Sequence, residues 1–486
     1  MSTPLPWGPA HDFRPFVSRD HPRVAAMQGR DAYQHAAAQA ANPLPRQLIL
    51  EPWEALYRQP FVGVTTDGRR REGLFALGPD GAPTEAMVAA ARQLLVQLDA
   101  GQRQTLCHAV DDPAWRRWNN TEMYLWPQGL RLEELNLAQR DAVLAVLRES
   151  LSAKGYGKAL DVMRCNRFLG ELVGNTRVLN EWSYNFSLFG TPSATEPWGW
   201  QLMGHHLALN CFVRQGQMVL TPCFMGAEPN VIDSGPHAGM RLFQDEEHGG
   251  LALLRALDAG QREQAILYRA MVGGDLPEGR RQRPDQLQLA GAFQDNRVIP
   301  YEGVCGAGFG PLARRRLLDL VSAYVDPLPD GPLKARMDEV ERHLDSTRFC
   351  WIGGTREEET FYYRIQSPVV LIEFDQHSGV FLTNEAPAKF HIHTILRTPN
   401  GNDYGADLLR QHYLQAHGDR RPGQAQGKVG HHPHGHDHPH GHDHPHGHDH
   451  PHGHDHPHGH DHPHGHDHPH AHDHPHGHDG APGERR

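Results

Sequence analysis

The chain has no long apolar run and no concentrated patch of basic residues in its 486 positions. Its apolar stretches, such as VVLI, are far too short to span a bilayer, and the N-terminal MSTPLPWGPAHDF lacks the basic and apolar regions of a secretory signal. Lys and Arg are scattered, which gives no electrostatic reason to expect nucleic acid or a membrane surface as a partner. The sequence therefore predicts a cytoplasmic protein without either partner.

Several chemical motifs are also missing. The cysteines form no C-x-x-C pair, which argues against a disulfide framework or a thiolate zinc site; the six are Cys107, Cys165, Cys211, Cys223, Cys305 and Cys350. The sequence contains no P-loop, no dinucleotide fingerprint and no serine elbow. Nucleotide-driven chaperone activity and serine hydrolysis are therefore disfavoured.

Histidine, in contrast, is abundant at the C-terminus. From Pro433 the hexapeptide PHGHDH occurs seven times, once as PHAHDH, and PHGHDG follows, so that 25 of the 39 histidines lie after residue 430. Such a density of Pro and Gly, without large apolar side chains, predicts a disordered segment. Neutral imidazoles beside Asp bind zinc, nickel or copper, and His434, His436 and His438 are the first such set.

Two simpler interpretations of this tail fit the sequence less well. A cloning tag would be a plain histidine run, and a solvated spacer would not need this spacing of His and Asp. Similar tails occur on zinc and nickel metallochaperones, which makes metal storage or delivery a hypothesis for the whole protein. The tail also carries −7 of the formal net charge of −11, so the body is close to neutral.

The body alternates between helical and β patterns and is predicted to be α+β. Two groups of strands are expected: YNFSLFG, WGWQLMG, HHLALNCFV and QMVLTPCF, then RFCWIGG, TFYYRIQ, PVVLIEFD and KFHIHTILR. Helical patterns precede each group, for example from Thr84 and over residues 130–152. The predicted organisation is an N-terminal arm and lead-in at 1–83, α+β halves at 84–249 and 250–417, a linker at 418–429 and the histidine-rich tail at 430–486.

The two halves repeat a phrase, LDAGQR, at residues 98–103 and 257–262. In the strands that follow, three positions align without gaps and a fourth keeps the same interval: Phe186 with Phe349, Leu188 with Trp351, Gly190 with Gly353, and Trp200 with Tyr363. A common loop-and-cap phrase, with Asp capping a helix, is the alternative explanation. We predict an internal duplication, with two helix-pair plus antiparallel β-meander halves forming a pseudo-twofold body.

Two histidine clusters in the body are candidate metal ligands. On a strand KFHIHTIL, the period of two puts His391 and His393 on one face. In HHLALN the same period would pair His206 with Asn210 and send His205 to the opposite face. Imidazoles with one carboxylate commonly hold zinc, copper, iron or manganese and leave a position open for water or substrate.

The carboxylate expected at this site is Glu373. Under the duplication Asn210 aligns with Glu373, which would put the two histidine clusters on equivalent strands near the pseudo-axis. Arg364 could grip a carboxylate or phosphate through its fork, and Tyr363 could line a pocket, so catalytic roles are predicted for Glu373, Arg364 and Tyr363. The simpler interpretation is that these histidines are hydrogen-bonded core or strand residues, because H-x-H alone is a weak motif.

The segments GHHLALN, YYRIQSPVVLIEFD, HIHTILRTPNGNDYG and DLLRQHY resemble signature segments of domain-of-unknown-function family 3500. The resemblance extends over about residues 94–413 and implies that His205, His206, His391 and His393 belong to the family pattern. The chain departs from that pattern by placing QHSGVFLTNEAPAKF between Asp375 and His391. The family supplies no reaction, so the resemblance implies a fold and a set of residues only.

Two functions follow as hypotheses. The first is a metal-dependent hydrolase or oxidoreductase that acts on a small polar molecule and whose tail buffers divalent metal, with zinc expected first and copper, nickel, iron or manganese as alternatives. The second is a metal-handling protein that stores or delivers zinc, nickel or copper without catalysis.

Overall fold

The computed structural model describes residues 8–282 and 284–417. The linker and the histidine-rich tail, including the predicted ligands His434, His436 and His438, lie outside the described residues. No helix in the described part of the chain is both long and apolar enough to cross a bilayer.

An N-terminal arm of short helices precedes the body. It comprises α1 (Pro22–Met27), α2 (Ala32–Ala41), α3 (Pro43–Pro45), a π-helical turn (Arg46–Leu50) and α4 (Glu51–Tyr57). Asp31 begins α2 with a capping box, because its side chain accepts from the Gln34 amide while the Gln34 side chain accepts from the Asp31 amide. The arm is therefore ordered by local signals as well as by packing.

The body contains longer helices and one sheet. Its helices are α5 (Thr84–Gln97), α6 (Ala100–Leu106), α7 (Leu137–Ser150), α8 (Ala153–Val173), α9 (Gln244–Ala256), α10 (Ala259–Ala265), α11 (Pro311–Val325), α12 (Asp330–Arg342) and α13 (Ala406–His417). Its strands are β1 (Cys107–His108), β2 (Leu130–Arg131), β3 (Tyr184–Phe189), β4 (Trp198–Gly204), β5 (Leu207–Arg214), β6 (Gln217–Ala227), β7 (Ile266–Tyr268), β8 (Val304–Cys305), β9 (Arg348–Gly353), β10 (Phe361–Gln366), β11 (Leu371–Gln376) and β12 (Ile392–Arg397). The α+β prediction is confirmed.

The sheet has the order β1-β3-β4-β5-β6-β12-β11-β10-β9-β7, with β2 paired to β3 and β8 paired to β9. The two outermost pairs, β1 with β3 and β7 with β9, are parallel, and the neighbours between them are antiparallel. From either edge, the order is therefore one short parallel strand followed by four consecutive antiparallel strands. The two antiparallel meanders meet where β6 pairs with β12.

Both LDAGQR phrases adopt the same local structure. Asp99 begins α6 and Asp258 begins α10, and each carboxylate accepts from the amide of the Gln three residues later at 2.8 Å. Asp therefore caps a helix in both copies, as the loop-and-cap explanation also predicts. The internal duplication itself stays a prediction.

The two faces of the sheet are covered differently. One face packs against helices of the body, and its core includes Trp200, Tyr363 and Phe374. The other face is covered by the arm and by chain segments without long helices, through a smaller core that includes Trp53 and Ile395. The histidines described below lie on this second face, because His393 and Ile395 are two residues apart on one strand.

One predicted helix is shorter than expected. The pattern over residues 130–152 predicted a single amphipathic helix, but β2 occupies its start and α7 begins only at Leu137. The Asn136 side chain caps α7 by accepting from the Gln139 amide at 3.0 Å. That cap ends the preceding extended segment and sets the helix start.

Candidate metal centre

Three histidines from two parts of the sheet converge on one point. His206, His391 and His393 each present a ring nitrogen within 4.8 Å of the other two, and all three side chains are buried. Zinc lies about 2.0–2.1 Å from an imidazole nitrogen, so two donors on one ion are roughly 3.3 Å apart in tetrahedral geometry. Small side-chain movements would bring all three nitrogens to that separation.

His391 and His393 form the closest pair. Their Nε2 atoms lie 3.1 Å apart, which confirms the prediction that the two rings face the same way. His391 Nδ1 lies 2.8 Å from the Ser378 carbonyl oxygen, which can only accept, so Nδ1 carries the proton and Nε2 keeps its lone pair. A carbonyl behind the distal ring nitrogen is the usual support of a metal-binding histidine.

His206 lies in a turn, which corrects the prediction that it belongs to a strand. Gly204 pairs with Leu207 across β4 and β5, so His205 and His206 are the two turn residues between these strands. His206 has φ 61°, a left-handed conformation that is uncommon for residues other than Gly, although Asn, Asp and His adopt it more often than the rest. The period-two assignment that put the two histidines on opposite faces is therefore wrong, and they do not lie on strands equivalent to β12.

The His205–His206 turn is held by backbone hydrogen bonds to Asn120 and to Gly226 of β6. The His206 amide donates to the Asn120 carbonyl at 3.2 Å, and the His206 carbonyl accepts from the Gly226 amide at 2.8 Å. Gly226 is the register partner of His393. A Cβ at Gly226 would lie 3.0 Å from His393 Cδ2 and 3.1 Å from His206 Cδ2, so glycine keeps the space between these two rings open.

His205 supports the group without joining it. Its ring stacks on His206 with centroids 3.9 Å apart. Its Nδ1 lies 2.8 Å from Asn166 Oδ1, while the Asn166 amide nitrogen donates to the Asn180 carbonyl. Asn166 Oδ1 is therefore the acceptor, and His205 Nδ1 carries the proton. His205 fixes the position of the His206 ring by stacking.

A fifth histidine, His377, was not predicted. Its ring centroid lies 3.8 Å from that of His393, and its Nε2 lies 2.9 Å from Asp375 Oδ2. Burial raises the pKa of Asp375 well above its ordinary value, and His377 Nε2 is a buried nitrogen without a hydrogen-bond partner among the described residues. The only sequence signal was that His377 lies two residues after Asp375.

The electrostatic environment keeps these imidazoles neutral. Burial lowers the pKa of His205 and of His391 to about 4 and the pKa of His377 to about 3. Burial also lowers the pKa of His206 and of His393 well below the ordinary value. Neutral imidazole is the form that offers a lone pair to a metal ion, so near pH 7 the group is ready for a cation.

Glu228 holds the chain segment that carries His377. Its carboxylate accepts from the backbone amides of Val380, Phe381 and Leu382 at 2.7 to 3.1 Å. The same carboxylate lies 3.8 Å from His391 Nδ1. Because the charge is buried, it supplies a negative potential beside the histidines, which favours a cation.

A cavity of about 410 Å³ leads to the histidines. Its inner lining includes His205, His206, His377 and His393, and the arm supplies much of the rest, including Leu44, Leu48, Ile49 and Trp53. Pockets of roughly 300–1,000 Å³ hold small organic ligands. The N-terminal arm therefore completes the wall of this cavity.

Glu122 is the acidic side chain that reaches the cavity wall. Its Oε1 lies 3.1 Å from Nε2 of His35, a residue of the arm. Burial opposes ionisation, but the hydrogen bond and the charge of His35, with smaller contributions from His205 and the backbone, together outweigh burial and lower the pKa of Glu122 to about 2. Glu122 is therefore an ionised carboxylate near pH 7, and sequence reasoning had not singled it out.

The three residues predicted to be catalytic lie elsewhere. Glu373 accepts from the Leu289 and Ala290 amides and from the Tyr362 hydroxyl at 2.6 to 3.1 Å, so its oxygens are used in holding a neighbouring segment. Arg364 is 1% exposed and donates to Glu302 at 2.7 Å. None of the three lines the cavity.

Tyr363 lies on the other face of the sheet from His393. Its hydroxyl is 2.6 Å from that of Tyr324 and donates to the Glu246 carbonyl at 2.9 Å. Charged and phenolic groups on these neighbouring strands have structural partners that a sequence does not reveal, and their catalytic roles stay a prediction. Glu373, Arg364 and Tyr363 make contacts within the fold and do not line the cavity.

Comparison with known proteins gives one family. The model of the family described as a protein of unknown function (DUF3500) matches residues 80–406, which is more than half of the chain. The match includes the five neighbouring histidines and excludes the arm. The five are His205, His206, His377, His391 and His393. No curated protein and no solved structure matches the chain.

Proposed function

The chain belongs to the DUF3500 family, and we propose that it is an enzyme whose catalytic metal ion is held by His206, His391 and His393. The observation that carries the proposal is the convergence of three buried ring nitrogens within 4.8 Å of one another beside a cavity of about 410 Å³. Zinc is the ion expected first, and copper, nickel, iron or manganese suit the same ligands.

Three protein ligands suit catalysis because they leave a position open. A catalytic zinc ion typically has three protein ligands and a water, whose pKa it lowers to about 7. His206 and His393 line the cavity, so the open position would be reached from there. Glu122, ionised and on the same cavity wall, would add a negative charge that favours a cation in the cavity.

The identity of the ion decides between the two reaction classes. Zinc has no redox chemistry and would support hydrolysis, whereas iron or copper would support an oxidoreductase. In either case the substrate is a small molecule that fits the cavity, and the histidine-rich tail would buffer the metal supply.

Metal storage or delivery without catalysis is the second candidate. The observation that favours it is the tail, which holds 25 of the 39 histidines. A buried group with neutral imidazoles and a cavity beside it suits retention of one ion better than rapid exchange of many. We therefore assign the tail to metal supply and the body to chemistry.

Cobalt substitution tests the open position directly. The chain truncated after Lys428 is loaded with one equivalent of cobalt(II), and its visible absorption is recorded while azide is added. We expect absorption bands of low-coordinate cobalt that change on azide binding and that are absent in His393→Ala. His248→Ala, at an exposed histidine, is the matched control and should behave like the parent chain. Bands that azide leaves unchanged would contradict an open catalytic position and favour the second candidate.

A further inference from the structure

The arm gives the cavity an apolar strip whose exposure changes along its length. Leu44 is 57% exposed, Leu48 is 37% exposed and Trp53 is 2% exposed, and all three line the cavity. Ile49, which is partly buried, belongs to the same strip. The strip therefore runs along the arm wall of the cavity from the exposed Leu44 to the buried Trp53.

The helical geometry of the arm keeps this strip on one side. The strip crosses α3, the π-helical turn Arg46–Leu50 and α4, which follow one another without a break. An α-helix returns to the same side after three or four residues, and a π-helical turn adds about one more. The spacings of four from Leu44 to Leu48 and of five from Leu48 to Trp53 match this geometry. π-Helical turns occur frequently at functional sites.

A second group of lining residues has the opposite character. His206, His377 and His393 line the cavity together with the ionised Glu122 and its partner His35. A ligand that filled such a cavity would meet ionisable and metal-binding groups as well as leucine side chains. Large apolar side chains on a cavity wall gain stability when an apolar group displaces the water that covers them.

We infer that the site takes an amphiphilic small molecule, with a metal-binding polar head at the histidines and an alkyl or aryl chain along Leu44, Leu48, Ile49 and Trp53. This inference rests on the proposed metal centre and adds to it the class of substrate. Leu44 and Leu48 line a concave space, which suits a small ligand rather than a flat protein surface. The volume of about 410 Å³ is sufficient for a ligand of this kind.

Hydroxamic acids are suitable probes, because the hydroxamate chelates zinc and the chain length can be varied. Acetohydroxamate and octanohydroxamate are titrated calorimetrically into the zinc-loaded full chain. The full-length His393→Ala variant, titrated in the same way, reports binding to zinc held by the tail. A fully buried methylene improves affinity by about fourfold. We therefore expect octanohydroxamate to bind the parent chain at least about 50-fold more tightly than acetohydroxamate.

The double variant Leu44→Gln/Leu48→Gln isolates the strip. It should reduce the gain from the longer chain by at least about tenfold and leave acetohydroxamate binding within about twofold of the parent, because only apolar contact is removed. The matched control is Leu137→Gln/Leu312→Gln, which alters leucines that are 74% and 56% exposed and do not line the cavity. This control should bind octanohydroxamate more tightly than acetohydroxamate by the same factor as the parent chain.

The outcomes separate the two proposals. If acetohydroxamate binds through His393 but octanohydroxamate binds no better, the substrate class is wrong and the metal centre stands. The same conclusion follows if the arm variant keeps the full gain. If neither hydroxamate binds the parent chain more tightly than the His393→Ala chain, the metal centre is wrong and the inference fails with it.

Discussion

The two walls of the cavity are held in different ways. The sheet wall, with His206 and His393, is buried and fixed by strand pairing and by a hydrogen-bonded turn. The arm wall, with Leu44 and Leu48, lies on short helices and reaches the surface. The family match at residues 80–406 includes the first wall and excludes the second.

This difference suggests a division of tasks. A metal ion requires donor atoms within a few tenths of an ångström of fixed positions, which paired strands supply. Contact with an alkyl chain tolerates looser packing, which short helices can supply. Substitutions in the sheet wall should therefore change metal binding, and substitutions in the arm wall should change only the organic ligand.

Acid should destabilise the sheet wall strongly. The folded pKa of about 4 for His205 and His391 lies below the unfolded value of about 6.5. Stability from these neutral rings is thus present above pH 6.5 and is lost as the pH falls towards 4, by on the order of 3 kcal/mol for each ring. Urea unfolding of the metal-free chain, truncated after Lys428, at pH 7, 5.5 and 4.5 measures this loss. His205→Gln should make the profile shallower, and a parent profile no steeper than that of His205→Gln would contradict the buried, neutral cluster.

Removal of a ligand should have the next largest effect. His391→Ala and His393→Ala should each weaken zinc binding by the truncated chain by more than about 100-fold, because lost supporting residues alone cost tenfold to 100-fold. Leu48→Gln should leave the zinc affinity within about twofold. Competition with a chromophoric chelator measures all three. A comparable loss in Leu48→Gln would show that the two walls are not separable.

Gly226→Ala should disturb the sheet wall without removing a ligand. The added Cβ would lie 2.8 Å from the Ile392 carbonyl oxygen and would press on His206 and His393. We expect zinc affinity to fall by about tenfold to 100-fold and stability to fall by about 1–3 kcal/mol. Gly157→Ala, where a Cβ meets open space, should be neutral or slightly stabilising. Equal zinc affinity in both variants would contradict the assigned contacts.

The smallest effect concerns the turn. His206 adopts φ 61°, which Asn tolerates better than Ala does. His206→Asn should therefore be more stable than His206→Ala by about 1 kcal/mol, while both variants lose tight zinc binding. Thermal unfolding of the metal-free variants compares them. Equal stability would mean that the left-handed conformation of the turn is not strained.

The sequence predicted the strand groups well because their signal is local. Alternation and apolar runs mark β3 to β6 and β9 to β12, and Asp99 and Asp258 mark helix starts through their own side chains. The GHHL turn was predicted as a strand because its left-handed residue is a histidine. That conformation depends on Asn120 and Gly226, which are distant in sequence.

The site was predicted only in part, because only some of its residues are marked by a local pattern. His391 and His393 follow from a period of two, whereas the position of His377 depends on a segment that is held by Glu228 from more than 150 residues away. Catalytic roles were predicted for Glu373 and Arg364 because both are charged. In the structure Glu373 accepts hydrogen bonds from the Leu289 and Ala290 amides. Arg364 donates to Glu302. Local patterns carry no information on such long-range partners.

The most direct measurement is the zinc content of the chain truncated after Lys428. After dialysis against zinc and removal of loosely held ions, elemental analysis should find one zinc ion per chain, and none in the same chain with His393→Ala. His248→Ala should retain the ion. A truncated parent chain without bound zinc, or an ion that survives His393→Ala, would contradict a metal centre at His206, His391 and His393.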